Sequence, residues 1–185
     1  MTKFKYDDNT HLYFLNNKCI PSVTEIIGTV LPRYNTGNDF YLNKGKALHK
    51  AIALILQDNL DETTIDERLA KKVAAGKKAI QELQIQPILI ETPLCHKTLG
   101  FAGTPDVLDK SGRLFDIKSS HEELTVIPQL GGYYELLVHN KYEVKEINEL
   151  VLQDNGKYKL YKYDIKYAKQ IFLAVLTVYN HIKRR

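Results

Sequence analysis

Three acid-x-Lys triplets occur in this sequence, and each could place a carboxylate and an amine on one face of a strand. They are Asp116-Ile117-Lys118, Glu143-Val144-Lys145 and Asp164-Ile165-Lys166. The chain is rich enough in acids and lysines that about 2.5 such triplets arise by chance. A triplet alone therefore predicts no chemistry, and its surroundings must decide.

Only the triplet at Asp116 follows a β-hairpin signal that brings a second carboxylate beside it. A three-residue loop at residues 110–112, closed by a left-handed glycine, would set Asp106 opposite Asp116. Because side chains alternate along a strand, Lys118 then shares the face of the two acids. Ile117 points the other way and can offer only its backbone carbonyl.

Two carboxylates about 5 Å apart repel each other unless a positive charge lies between them. A hard divalent cation such as Mg²⁺ or Mn²⁺ prefers oxygen ligands and would supply that charge. Lys118 would then hold or polarise an attacking water. The alternative is a solvated hairpin whose acids and lysine simply face water. The apolar neighbours Val107-Leu108 and Leu114-Phe115 instead predict a buried hairpin, in which unpaired carboxylates are costly.

The elements that must position these residues follow from hydrophobic periodicity and turn signals. An N-terminal β-meander is predicted up to about residue 20, from strands at 4–6, 11–15 and 19–20. Helices are predicted at 23–30 with Ser22 as N-cap, at 43–57, from the capping box Thr64-x-x-Glu67, from Pro128 at the first helical position to 138, and at 165–182. The lysines of the third helix, Lys71, Lys72, Lys77 and Lys78, are predicted to form a solvated face. Strands are predicted at 88–91, 101–108, 113–118, 146–153 and 157–163, the last two joined by a hairpin turn.

This order of elements predicts an α/β fold with a central mixed sheet flanked by helices in a single domain. The 185 residues are 44% hydrophobic and 26% charged, which excludes a disordered or collagen-like chain. A net charge of +4 is compatible with a polyanionic partner. Two cysteines are too few for a disulfide framework, residues 1–5 lack a signal-peptide pattern, and the apolar run at 171–178 is too short to span a bilayer. We therefore expect a cytoplasmic protein with no membrane segment.

Five short motifs follow one another along the chain. They are Pro21-Ser22-Val23-Thr24, Gly45-x-x-x-His49, Ile90-Glu91-Thr92-Pro93, Gly103-Thr104-Pro105-Asp106 with Asp116-Ile117-Lys118 ten positions later, and Gln129-x-x-x-Tyr133. In this order they resemble the PD-(D/E)XK nuclease superfamily, and within it the RecB-like and phage-type exonucleases. The resemblance covers residues from about 20 to 152. It implies a restriction-endonuclease-like αβββαβ core at about residues 43–152.

The resemblance also implies a role for each matching residue. The metal ligands would be His49, Asp106, Asp116 and the carbonyl of Ile117, and Lys118 would be the catalytic lysine. Glu91 would act as the first acid of the site, through a water or a second metal. Gln129 and Tyr133 would bind substrate phosphate or position Lys118. The residues alone allow other interpretations. His49 could be a hydrogen-bonded residue at the edge of the core, and Glu91 could cap the end of a strand. Gln129 and Tyr133 could lie on an ordinary helix surface.

The activity that the resemblance implies is a DNA exonuclease that needs Mg²⁺ or Mn²⁺ and acts on single-stranded DNA or DNA ends. Replication, recombination or repair in a bacterial or phage-infected cell would be its setting. The iron-sulfur cluster of some relatives needs four cysteines and is not expected here. Lysines beside His49, namely Lys44, Lys46 and Lys50, could contact DNA phosphates. The alternatives are a structure-specific endonuclease on the same core and a non-catalytic DNA-binding accessory protein.

Overall fold

A computed structural model describes residues 3–31 and 39–184, with side chains from residue 45 onward in the second stretch. The strands of this part are β1 (Phe4–Asp7), β2 (Leu12–Leu15), β3 (Lys18–Ile20), β4 (Pro87–Ile90), β5 (Leu94–His96), β6 (Phe101–Gly103), β7 (Val107–Asp109), β8 (Arg113–Lys118), β9 (Glu146–Leu152) and β10 (Tyr158–Tyr163). The α-helices are α1 (Val23–Val30), α2 (Asp39–Leu56), α3 (Glu67–Glu82), α4 (Glu123–His139) and α5 (Ile165–Lys183). Among these helices, none is both long and apolar enough to cross a membrane.

A five-stranded mixed sheet with the order β10-β9-β8-β7-β4 lies at the centre. β8 and β9 run parallel, whereas the other neighbours are antiparallel. Helix α4 makes the crossover that two parallel strands need. Around this sheet the chain follows the order α3, β4, β7, β8, α4, β9, with β5 and β6 inserted between β4 and β7. The predicted mixed α/β architecture is confirmed.

The hairpin β7–β8 has the register that the sequence predicts. Val107 pairs with Phe115, and Leu108 pairs with Leu114. Gly112 has φ +81°, a left-handed conformation that glycine adopts without steric cost, and its N–H donates to the carbonyl of Asp109. The turn therefore fixes which side chains of the two strands stand opposite each other.

Alternation along the hairpin divides its apolar residues between two cores. Leu108 and Leu114 pack in the cluster that α4 and α5 complete on one face of the sheet. Val107 and Phe115 pack on the other face, in the cluster that includes residues of α2 and α3. Burial of both faces explains why the strands contain few exposed positions. A polar side chain that enters this hairpin consequently lies in a dry environment.

The segment predicted as one strand at 101–108 is two strands in two different sheets. β6 pairs with β5 in a separate two-stranded sheet, and β7 belongs to the central sheet. Pro105 lies between them and has no N–H to donate to a ladder. β5 has no counterpart among the predicted strands. The side chains of Cys95 and Ala102 pack with Tyr13 and Ile20, so this small sheet joins the N-terminal meander to the rest of the protein.

Two helix starts differ from the predicted ones. α3 begins after Asp66, whose side chain accepts a hydrogen bond from the N–H of Arg68 and replaces the predicted Thr64 cap. α4 begins five residues before Pro128, which therefore lies inside the helix. Proline at this sixth position lies beyond the first four residues, whose N–H groups have no partner in any helix, so its missing N–H removes one backbone hydrogen bond. The start of α2 at Asp39 also precedes the predicted residue 43.

The predicted solvated lysine face of α3 is wrong at one position. Lys72 is buried, and its Nζ donates to the carbonyl of Ser119 at 2.9 Å and lies 3.3 Å from the Asp154 carboxylate. Its neighbour Lys71 is exposed. Lys72 thereby ties helix α3 to the residue that follows Lys118 and to the β9–β10 turn.

We expect Lys72→Ala to lower the free energy of unfolding by roughly 1.5 to 3 kcal/mol, because it removes a buried charged donor from the Ser119 carbonyl and the Asp154 carboxylate. The exposed Lys71→Ala change should alter it by less than about 0.5 kcal/mol. Urea denaturation of the two variants measures the difference. Equal stability of the two variants would contradict a structural role for Lys72.

Candidate active site

The hairpin brings Asp106 and Asp116 to opposite positions, one residue beyond the pair Val107 and Phe115. Asp116 is fully buried, and Asp106 is 7% exposed. The Oδ2 atom of Asp106 accepts a hydrogen bond of 2.7 Å from the N–H of Ile117. The Ile117 side chain packs on the opposite face of the sheet, as its position in the strand predicts.

Lys118 lies on the face of the two acids. Its Nζ is 2.7 Å from Asp116 Oδ2 and donates to Gln129 Oε1 at 3.1 Å. Burial acts to lower the pKa of Lys118, but the charges of Asp116 and Asp106 outweigh it and raise this pKa. The ammonium group is therefore charged at neutral pH and balances the carboxylates in the metal-free protein.

Gln129 and Tyr133, one turn apart on α4, form part of the same hydrogen-bond network. Gln129 Nε2 donates to Asp116 Oδ1 and to the Tyr133 hydroxyl, each at 3.1 Å. Because Gln129 Oε1 accepts from Lys118, its amide bridges the acid and the lysine. Burial raises the pKa of Tyr133 well above its usual range, and the nearby acids add to the rise. The tyrosine therefore stays neutral and holds the amide in place.

His49 reaches the same acids from helix α2. Its Nδ1 lies 3.3 Å from Asp106 Oδ1, and its side chain is 29% exposed. The charge of Asp106 raises the pKa of His49 to about 9, against a smaller opposing effect of burial. Burial acts to raise the pKa of Asp106, but His49 and then Lys118 lower it below the usual value. In the metal-free protein His49 and Asp106 therefore form an ion pair.

This ion pair should make the stability of the metal-free protein depend on pH. Because the pKa of His49 is raised from 6.5 to about 9 by folding, its stabilising effect is complete below pH 6.5 and disappears as the pH rises through 9. His49→Gln should therefore reduce stability at low pH more than at high pH. Urea denaturation with EDTA at about pH 6 and about pH 10 tests this. An equal loss at both values would show that His49 is uncharged in the folded protein.

The pKa of Asp116 is shifted in the opposite direction to that of Asp106. Burial raises its pKa to about 6, and the charge of Asp106 adds to this effect while Lys118 opposes it. Its buried Oδ2 has no hydrogen-bond partner in the described residues, although Lys118 Nζ is close. The Lys118 ammonium offsets part of the cost of burying this charge, and a bound cation would offset more of it.

The donor types around this oxygen fit a hard divalent cation, since two carboxylates and an imidazole are common ligands of Mn²⁺ and, for the oxygens, of Mg²⁺. No three His, Cys, Asp or Glu side chains in the described part of the chain are already arranged as a complete metal site. His49 Nδ1 is paired with Asp106 in this structure. Coordination of a metal through this nitrogen would require the release of that pair and of its proton.

Glu91 follows β4 and lies next to Asp106 in the backbone. Its N–H donates to the carbonyl of Asp106 at 2.8 Å, and its φ of +38° places it in a region that non-glycine residues rarely adopt. The side chain is exposed. Partial desolvation raises the pKa of its carboxyl, and the charge of Asp106 adds to the rise. Glu91 therefore stands at the edge of the acid pair and does not contact Lys118 through any hydrogen bond of the described residues.

A cavity of about 590 Å³ opens over Asp106, His49 and Glu91. The N-terminal meander supplies an aromatic wall that is not among the predicted site residues. Its side chains are Tyr6, His11 and Tyr13. The rings of Tyr6 and Tyr13 have centroids 4.9 Å apart, and the Tyr13 hydroxyl lies 2.8 Å from Thr104 Oγ1. Lys46 and Lys50 also line the cavity, whereas the side chain of Lys44 is outside the described residues.

The other two acid-x-Lys triplets lie in different surroundings. Glu143 and Lys145 form an exposed ion pair with each other at 3.3 Å. Asp164 is the N-cap of α5, and its side chain accepts from the N–H of Tyr167. Neither triplet faces a second carboxylate across a hairpin, so neither forms a comparable constellation in the described structure.

Comparison with known proteins adds the following findings. No protein-family model matches the sequence, and no curated protein matches it significantly. An alkaline exonuclease from Laribacter hongkongensis, LHK-Exo, is similar in structure with a TM-score of 0.46 and 14% sequence identity, over 88% of this chain and 91% of that chain. Its complex with dAMP gives a TM-score of 0.35 and 17% identity, over 89% of this chain and 92% of that chain. Similarity at this level assigns no role to any residue, so the function is argued from the site.

Proposed function

We propose that this protein is a divalent-metal-dependent DNA exonuclease of the PD-(D/E)XK type. One observation carries the proposal: the buried pair of Asp106 and Asp116 shares a face with Lys118, and Gln129 holds the lysine beside the acids. A solvated hairpin would leave these carboxylates in water. Burial of two acids at opposed positions is costly, and a bound cation would offset that cost.

In this proposal His49, Asp106, Asp116 and the backbone carbonyl of Ile117 hold Mg²⁺ or Mn²⁺. When bound, the cation would neutralise charge on the scissile phosphate and lower the pKa of an attacking water. Lys118 orients that water through its ammonium group. Gln129 keeps Lys118 in place, and Tyr133 keeps Gln129 in place. Glu91, at the edge of the acid pair, would hold a second water or a second cation.

The cavity over the acids favours a DNA end as substrate. Aromatic side chains of the N-terminal meander and the carboxylate of Asp106 both line this cavity. Aromatic rings of this kind stack on nucleobases without sequence preference. Lys46 and Lys50 supply positive charge for the strand. A walled cavity accepts a terminal nucleotide more readily than an internal segment of a continuous strand.

The test uses end-labelled linear DNA, both single-stranded and double-stranded, together with circular single-stranded DNA. Each substrate is incubated with Mn²⁺ or Mg²⁺, with EDTA as the metal-free control and Lys118→Ala as the inactive control. We expect metal-dependent shortening of the linear substrates only, lost in the variant. The position of the label gives the polarity.

Two other outcomes would replace the proposal. Opening of circular DNA identifies a structure-specific endonuclease, because a circle has no end. Tight DNA binding by the pure protein without cleavage in either metal identifies a non-catalytic binding protein.

A further inference from the structure

A further buried acid, Glu149, lies beside the candidate active site, on β9. Glu149 pairs with Asp116 in the parallel ladder, so the two side chains share a face of the sheet. The Glu149 side chain is completely buried. Its Oε2 is 2.6 Å from His121 Nδ1 and accepts a hydrogen bond from the Tyr163 hydroxyl at 2.9 Å. Its Oε1 has no partner in the described residues.

This carboxylate fixes the orientation of His121. With Nδ1 directed at Glu149, the other ring nitrogen, Nε2, is left for a ligand, and no hydrogen bond to it occurs in the described residues. The ring of His121 stacks on Tyr161, with centroids 4.2 Å apart and an angle of 13° between the planes. His121 is 37% exposed, so its ring remains accessible to solvent although Glu149 and Tyr161 fix its orientation. When Nδ1–H donates to the Glu149 carboxylate, Nε2 carries a lone pair in the neutral imidazole and a second N–H in the imidazolium.

His121 lines a cavity of about 630 Å³ that begins where β8 ends. Ser119 and Ser120, which directly follow Lys118, form one side of it, and the exposed lysines Lys71 and Lys159 form another. Hydroxyl, imidazole and ammonium groups all donate hydrogen bonds, and two of the lining groups carry positive charge. The acid at the rim, Asp154, is already paired with Lys72.

We propose that this cavity binds a phosphate group of the DNA strand whose end occupies the active site. His121 donates from Nε2 as an imidazolium whose Nδ1–H is held by Glu149, a positioning residue. Lys71 and Lys159 neutralise the phosphate charge. The inference rests on the proposed function, because it takes DNA as the substrate. The two ammonium groups and the two serine hydroxyls favour a phosphate over a metal cation, since an ammonium group repels a cation and has no lone pair to offer it. Because Ser119 directly follows Lys118 in the chain, the subsite would lie beside the proposed catalytic lysine.

The test measures binding of a fluorescein-labelled single-stranded oligonucleotide in EDTA, so that no cleavage is needed. We expect the double change Lys71→Ala with Lys159→Ala to raise Kd about tenfold and to reduce the slope of log Kd against log salt by about 0.7, as for one phosphate that is no longer neutralised. His121→Phe keeps a ring against Tyr161 but removes the donor, and should raise Kd by about fivefold or more. Lys110→Ala is the matched control, because Lys110 lies in the β7–β8 turn, at the other end of β8 from the cavity. This variant should bind DNA as the wild type does.

Steady-state cleavage of the same oligonucleotide with Mn²⁺ separates binding from chemistry. The lysine variants should raise KM and leave kcat within about twofold, because they contact only a flanking phosphate. Circular dichroism and thermal denaturation show whether each variant folds. If His121→Phe does not fold, the variant with both exposed lysines replaced still tests the proposal. Unchanged binding in the lysine pair overturns the subsite while leaving the nuclease proposal intact. Failure of the wild type to bind DNA overturns both.

Discussion

Replacing Asp116 with asparagine is expected to lower DNA cleavage by at least about a thousandfold and to abolish Mn²⁺ binding. The change removes one charged oxygen from the centre of the site, where burial has excluded water and electrostatic effects are large. Asparagine has nearly the same shape and can accept the hydrogen bond from Gln129 through Oδ1. Its Nδ2 then takes the place of Oδ2, and the Lys118 side chain has to turn from it toward Gln129 and Asp106. The loss should therefore be one of chemistry and not of folding.

The stability of the Asp116→Asn protein distinguishes these two explanations. Because burial raises the pKa of Asp116 to about 6, the folded protein bears a cost at neutral pH for keeping this group charged. Asparagine carries no charge, so the metal-free variant should unfold at the same temperature as the wild type or higher. Thermal denaturation in EDTA and calorimetric titration with Mn²⁺ measure the two quantities.

Glu143→Gln is the matched control for this experiment. Glu143 is the acid of an exposed acid-x-Lys triplet and pairs with Lys145 at the surface. The Glu143→Gln variant should cleave DNA and bind Mn²⁺ as the wild type does. Retention of Mn²⁺-dependent cleavage by Asp116→Asn would remove Asp116 from the metal site and with it the basis of the proposed mechanism.

Replacing Lys118 with methionine is expected to reduce kcat by about a hundredfold to ten-thousandfold while Mn²⁺ binding persists. Lys118 orients the attacking water in the proposed mechanism, and contributions of this kind fall in that range. The lysine is not a metal ligand, and its positive charge opposes a cation at the acids. Its removal should therefore leave Mn²⁺ affinity unchanged or higher. Reduced kcat with retained Mn²⁺ binding in Lys118→Met, compared with the loss of both in Asp116→Asn, would distinguish the role of the lysine from that of the acid.

The same substitution should destabilise the metal-free protein, because the charges of Asp106 and Asp116 then lack their closest ammonium group. Added Mn²⁺ should restore the melting temperature to a value near that of the wild type with metal. Lys145→Met, in the exposed triplet, serves as control and should change neither quantity. Loss of Mn²⁺ binding in Lys118→Met would show that the lysine organises the acids and does not act on the water.

The sequence alone predicted the local features that nearest neighbours control. The hairpin register that opposes Asp106 and Asp116 follows from loop length and a left-handed Gly112. The Ser22 cap of α1 and the turn between β9 and β10 follow from equally short signals, and the structure has both. Alternation along a strand was sufficient to place Lys118 with the acids. Each of these features depends on residues within about ten positions of one another, where geometry leaves few choices.

Tertiary structure decided what distant segments contribute. Pairing of β9 beside β8 brings Glu149 next to Asp116, and no local signal gives the register of two parallel strands separated by a helix. Lys72 shares a helix face with the buried Leu69 and Gly76, but only the tertiary structure brings Ser119 and Asp154 to its ammonium group. The aromatic wall formed by Tyr6 and Tyr13 likewise depends on how the meander docks. Side-chain burial and pairing over such distances are set by the packing of whole elements, which a linear pattern does not encode.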